Sequence, residues 1–149
     1  MKKESGQTLV EALVAFGVAT ILIVALVAAT TVAVSRSQFV KQRTQAEKYA
    51  QEGIEWIRAE RDNNNWNTYF LPQASSGGGS RYCLNTLSWT TGGTCATFNL
   101  PAGGPFKREA LLTRDVSGNK ITVRITVSWQ EGGRTHTSDQ TTILTKWQE

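Results

Sequence analysis

The stretch that decides the fold is Lys2-Lys3-Glu4-Ser5-Gly6-Gln7-Thr8-Leu9-Val10-Glu11, a short basic head that runs into an apolar segment. From Ala12 to Ala29 no charged residue occurs, and a softer Thr- and Val-rich end follows to Val34. About 20 helical residues at about 1.5 Å rise cover the roughly 30 Å hydrocarbon core of a bilayer, so this run has the length of a membrane span. Glu11 is the anomaly, because it lies two residues inside the apolar run that starts at Leu9. An ionised carboxylate at membrane depth costs on the order of 3 kcal/mol by insertion scales and therefore usually has a partner or a task. A cut after Gly6 would give Gln7 a new α-ammonium four residues before Glu11. Its own terminus is awkward for Glu11 to reach along a helix already formed. The Gln7 ammonium of a neighbouring copy fits better and would set an axial stagger between helices.

Gly6-Gln7-Thr8-Leu9-Val10-Glu11 resembles the cleavage and methylation motif of type IV prepilins, in which a Gly precedes the cut and a Glu stands fifth after it. The resemblance implies that Gly6 is the last leader residue, Gln7 the N-methylated terminus and Glu11 the assembly carboxylate. Most members carry Phe or Met where this chain has Gln7. Over Glu11–Ala15 the chain also resembles minor pilins of the PilV type. Three plainer readings stand beside this one. Thr8-x-x-Glu11 fits a capping box at a helix start. Ala33-Val34-Ser35 has the small-x-small form of a secretory cleavage site, although the apolar run exceeds a 7 to 15 residue signal core. The segment also suits an ordinary single-span anchor.

The chain has 149 residues, 40% of them hydrophobic, with a large share in Leu9–Val34, so the remainder reads as a polar, loop-rich head with a small core. Net charge is +4, and loss of Lys2, Lys3 and Glu4 with a leader leaves 14 basic and 11 acidic residues, or +3. That balance does not indicate nucleic acid. Lys2 and Lys3 place the short N-terminal side in the cytoplasm and the head outside. Cys83 and Cys95 then fall in an oxidising compartment and read as a disulfide, with free buried thiols as the alternative.

From Ser35 the pattern turns amphipathic without a break. Phe39, Ala46, Ala50, Ile54 and Ile57 make an apolar stripe, and Arg36, Lys41, Arg43, Lys48, Glu52, Glu55 and Glu60 supply the polar face. One helix is expected from about Thr8 to about Arg61, gripped in its second half by the head. Gly17 and Gly53 permit either bending or close packing. Asp62-Asn63-Asn64-Asn65 should stop the helix. The aromatic group Trp66, Tyr69, Phe70 and Leu71 then folds back over the head, and Ala74–Ser80 is expected to be an exposed flexible loop.

Further on, Ile121, Val123, Ile125, Val127 and Trp129 alternate with polar residues as a half-buried strand. Glu131-Gly132-Gly133-Arg134 is a hairpin turn, Thr135–Trp147 the returning strand, and Ser117-Gly118-Asn119 joins Arg108–Val116 to the same sheet. Arg81–Trp89 and Thr94–Leu100 are expected to add a smaller hairpin. The fold class is α+β, a long N-terminal helix packed on a C-terminal antiparallel sheet, which is also the pilin plan the resemblance implies. The expected divisions are a leader at 1–6, a transmembrane and filament-core helix at 7–34, its amphipathic continuation at 35–62, and an extracellular head at 63–149 stapled by Cys83–Cys95.

His136, the sole histidine, and Asp139 fall on opposite faces of an extended strand, which argues against a catalytic relay. No metal-ligand spacing or nucleotide-binding glycine motif occurs, so neither a metal nor a cofactor is expected and an enzyme is the least expected class. Trp129 and Trp147 read as core, and Trp66 and Trp89 as the better surface candidates for stacking on a ligand. The resemblance implies a filament subunit concerned with adhesion or motility. Its implied partners are a prepilin peptidase, a membrane platform protein, an assembly ATPase, other pilins, and membrane lipid before assembly. The alternatives are a pseudopilin of a type II secretion or DNA-uptake machine and a membrane-anchored binding protein.

Overall fold

The structure, a computed structural model, describes residues 5–146 and the side chains of residues 8–146. Its first element is helix α1, Ser5–Asn63, and its contacts divide the chain into two compact units, Met1–Val40 and Lys41–Glu149. In the first unit almost every described side chain is exposed, including Leu9, Phe16, Ile21 and Val24. The helix is long and apolar enough to cross a membrane, and none of its apolar window is buried by the protein. The threonines of this run do not interrupt that surface. Thr20 donates to the Gly17 carbonyl, and Thr30 and Thr31 to that of Val27, so each hydroxyl is satisfied within the helix, as hydrocarbon surroundings demand.

The second unit holds the core. Residues 41–63 of α1 present Ala46, Ala50, Gly53, Ile54 and Ile57 to the sheet, all buried at helical spacing. The sheet is a four-stranded antiparallel meander of β1 (Ser80–Cys83), β2 (Phe106–Arg114), β3 (Lys120–Glu131) and β4 (Arg134–Thr145), in that order. Its inner face alternates as expected, with Ile121, Val123, Ile125, Val127 and Trp129 of β3 buried opposite Arg114, Leu112, Ala110, Arg108 and Phe106 of β2. Gly132 and Gly133 both have positive φ, which lets two residues close the β3–β4 hairpin with a twist that matches its strands. Helix followed by antiparallel sheet is the α+β layout of the pilin fold.

Four expectations need correction. The hairpin of Arg81–Trp89 with Thr94–Leu100 does not form. Instead β1 pairs with β2, and residues 84–105 form an irregular loop in which Leu84 N–H donates to the Arg108 carbonyl and Asn99 and Leu100 N–H to that of Phe106. A short local bridge does form between β1 and residues 91–93, with Cys83 N–H donating to the Thr91 carbonyl and Gly93 N–H to that of Arg81, while the β2 edge takes the hydrogen bonds of Leu84, Asn99 and Leu100. Ala74–Ser80 is not wholly free either, since Ala74 is buried and Ser75 bridges Thr113, leaving Ser76–Gly78 as the exposed part. Trp66 is not a surface residue: it is buried against Phe70 and donates Nε1–H to the Gly118 carbonyl. Finally, α1 already includes Ser5, so Thr8 lies inside the helix and not at its cap, which removes the capping-box reading. The core role read for Trp147 lies outside the described residues.

Candidate functional site

Gly6 and Gln7 lie in α1, although the side chains of residues 5–7, like all of Lys2 and Lys3, lie outside the described residues. Glu11 follows one turn later and is exposed. Four residues correspond to about 6 Å along the axis, and i,i+4 positions share a face. Glu11 therefore stands exposed among the exposed apolar side chains of the helix.

In the second unit the densest polar construction is one the sequence reading passed over. Arg108, 1% exposed, reaches from the inner face of β2 to the helix. Its Nε donates to the Leu84 carbonyl at 3.0 Å, and Nη1 to the Tyr49 carbonyl and to Glu52 Oε2, both at 2.8 Å. The guanidinium thus ties helix, sheet and the residue that follows β1 together. Gly53 supplies the room, because a Cβ there would lie 3.1 Å from Arg108 Cδ and 3.5 Å from Ile125 Cγ2. That settles Gly53 as a close-packing glycine, whereas a Cβ at Gly17 would meet nothing within 4 Å. The available signal was a charged residue on the inner alternation of β2 combined with a glycine on the apolar helix stripe.

On the other face of β2, buried Glu109 accepts from Cys95 N–H at 3.0 Å and pairs with Lys107 and Arg81. It anchors the loop closed by the Cys83–Cys95 disulfide, whose Cα atoms are 4.8 Å apart. Closing a loop of 12 residues separation contributes about 3 kcal/mol in the chain-entropy model. Reduction, or the double substitution Cys83→Ser with Cys95→Ser, is expected to lower head stability by about that amount in urea unfolding while leaving membrane insertion unchanged. An unaltered unfolding midpoint would contradict this account of the loop.

Trp89 rests on Trp56 and Tyr82, with ring centroids 4.7 and 5.0 Å away, and donates Nε1–H to Glu60. Tyr69 Oη donates to the same carboxylate, and that hydrogen bond holds its phenol above the ordinary tyrosine range. Trp89 therefore pins the long loop to the flank of α1 and does not form a stacking platform. His136 stacks on Trp129, while Asp139 accepts from Thr126. No group of three or more metal-ligating side chains occurs among the described residues.

Residues 1–27 match the family model of the prokaryotic N-terminal methylation motif, the signature of type IV prepilins. No curated protein and no solved structure matches the chain.

Proposed function

We propose that this chain, which carries the prepilin signature on a membrane-length helix, is a structural subunit of a type IV pilus-like filament, cut between Gly6 and Gln7, methylated on Gln7 and polymerised through α1. The observation that carries the reading is the placement of Glu11, one turn past Gln7, on apolar helix surface that is exposed among the described residues. Such surface needs lipid first and neighbouring helices afterwards. Exchanging lipid for helix gives little hydrophobic gain, so close packing and the Glu11–ammonium pair must hold the assembled state, and extraction requires an external motor. The partners are accordingly a prepilin peptidase, a membrane platform protein with its assembly ATPase, and other pilins. The subunit waits in the cytoplasmic membrane with its head outside before it enters a surface filament.

The processing step is tested by Gly6→Val. A branched side chain beside the scissile bond is expected to block cleavage, so the membrane fraction should contain only the longer chain, and filaments should be absent. Recovery of the variant at the wild-type mature mass would show that the cut lies elsewhere.

A further inference from the structure

Lys41, Lys48, Glu55 and Asp62 of α1 follow one another at intervals of seven, and all four are exposed. Seven helical residues fall about 20° short of two full turns and advance about 10 Å along the axis. The four side chains therefore form one slanting stripe, on the face of α1 turned away from buried Ala46, Ala50 and Ile57. Charge divides this stripe. From Lys41 to Lys48 the helix carries three cations and one carboxylate, Glu47, which Arg43 engages at 3.1 Å. From Glu52 to Asp62 it carries four carboxylates and two arginines. Lys41 and Lys48 make no ion pair among the described residues. Glu55 pairs with Arg58 and Asp62 with Arg61, yet their side chains stay 67% and 47% exposed.

Such a surface repels an aligned copy of itself and attracts a displaced one. Beside a parallel helix in register, every member of the stripe faces its own like. A shift of seven residues sets Lys48 against Glu55, but also Lys41 against Lys48 and Glu55 against Asp62. A shift of fourteen, about 21 Å, makes two unlike contacts and no like one, with Lys41 and Lys48 of one copy beside Glu55 and Asp62 of the next. We propose that this stripe docks a second copy of the chain, parallel and displaced by fourteen residues. The inference rests on the filament reading above and deepens it. Copies in one filament share a polarity, which selects the parallel pairing over an antiparallel one that also opposes Lys41 to Asp62 and Lys48 to Glu55. The displaced contact is heterologous: each copy presents its cationic half to one neighbour and its acidic half to another, so the contact propagates instead of closing at two. Exposed ion pairs are individually weak, and their effect here is the register they select.

The test uses the full chain expressed in its membrane, with variants compared at matched membrane levels. K41E/K48E and E55K/D62K should each lower the ratio of sheared-filament to membrane-bound protein about tenfold, because two attractive pairs become repulsive. The fourfold variant K41E/K48E/E55K/D62K inverts the stripe and restores its complementarity, so its ratio should return close to that of wild type. Register is read separately. Gln45 and Ala59 are exposed, fourteen residues apart and on the same face as the stripe. Filaments of Q45C/A59C treated with a short bismaleimide should give ladders of many subunits, and neither single variant should. An unchanged ratio in K41E/K48E, a fourfold variant that does not recover, or the absence of cross-links overturns the proposal. Cross-linking that stops at dimers assigns the stripe to an antiparallel pair and overturns it as well. Filaments indifferent to these charges contradict this inference alone, whereas a wild-type chain that never enters filaments contradicts the filament reading itself.

Discussion

Replacing Glu11 by alanine is expected to leave membrane insertion and head folding intact while removing the chain from sheared filaments. Alanine is apolar and a strong helix former, so the span itself should improve. In the proposed filament the damage falls on the neighbouring copy, whose Gln7 ammonium would keep its charge and lose its counter-ion in an apolar bundle. Removing one partner of a buried pair costs about 3–5 kcal/mol, because the surviving charge stays desolvated. At about 1.4 kcal/mol per decade, that lowers the equilibrium for adding each subunit by two orders of magnitude or more. Glu11→Gln keeps the shape and should fail nearly as badly, which separates charge from packing. The measurement is the ratio of filament to membrane-bound protein by immunoblot. A wild-type ratio for Glu11→Ala would end the assembly role proposed for this residue.

The second large effect is expected in the head. Arg108→Ala removes the donors to the Leu84 and Tyr49 carbonyls and opens space beneath Gly53. The Leu84 carbonyl loses its Arg108 donor, at about 1–3 kcal/mol, while the Tyr49 carbonyl stays paired along the helix. The pair with Glu52 adds little, because that carboxylate is 53% exposed and returns to water. A total of about 3 kcal/mol in a head of this size corresponds to a fall in melting temperature on the order of 15 °C. Arg108→Met restores much of the volume but none of the hydrogen bonds, so it should recover only part of the loss. Melting of Arg108→Ala within a few degrees of wild type would show that the helix is held to the sheet by its apolar stripe alone.

These two residues mark how far the chain could be read before its structure. Glu11 stood out because a charge inside an uninterrupted apolar run is a local contradiction, visible without any fold. The β3–β4 hairpin was legible for a similar reason, since strict alternation from Ile121 to Trp129 and the Gly132-Gly133 pair are local signals. Arg108 was not, because its role depends on three segments brought together from positions 49–53, 84 and 108. β1 was misassigned on the same ground. Cys83 and Cys95 suggested a local hairpin, but residues 80–83 pair along their whole length with β2, which begins more than twenty positions later, and Arg81 and Cys83 reach only Gly93 and Thr91 locally. Trp66 looked like a surface aromatic because it follows four polar residues, yet its indole is covered and bonded to a turn 52 residues away. Periodicity reports which face of an element is buried, and it is silent on which distant element buries it.

The central claim is that the first six residues are a leader and that the functional chain starts at a methylated Gln7. Intact mass and N-terminal peptide analysis of the protein from membrane and sheared-filament fractions tests it most directly. The account predicts that the filament form begins at N-methylated Gln7, with the leader present only in the unprocessed membrane pool. A mature chain that begins at Met1, or near Arg36, would contradict it and would leave Glu11 without the partner on which the assembly argument depends.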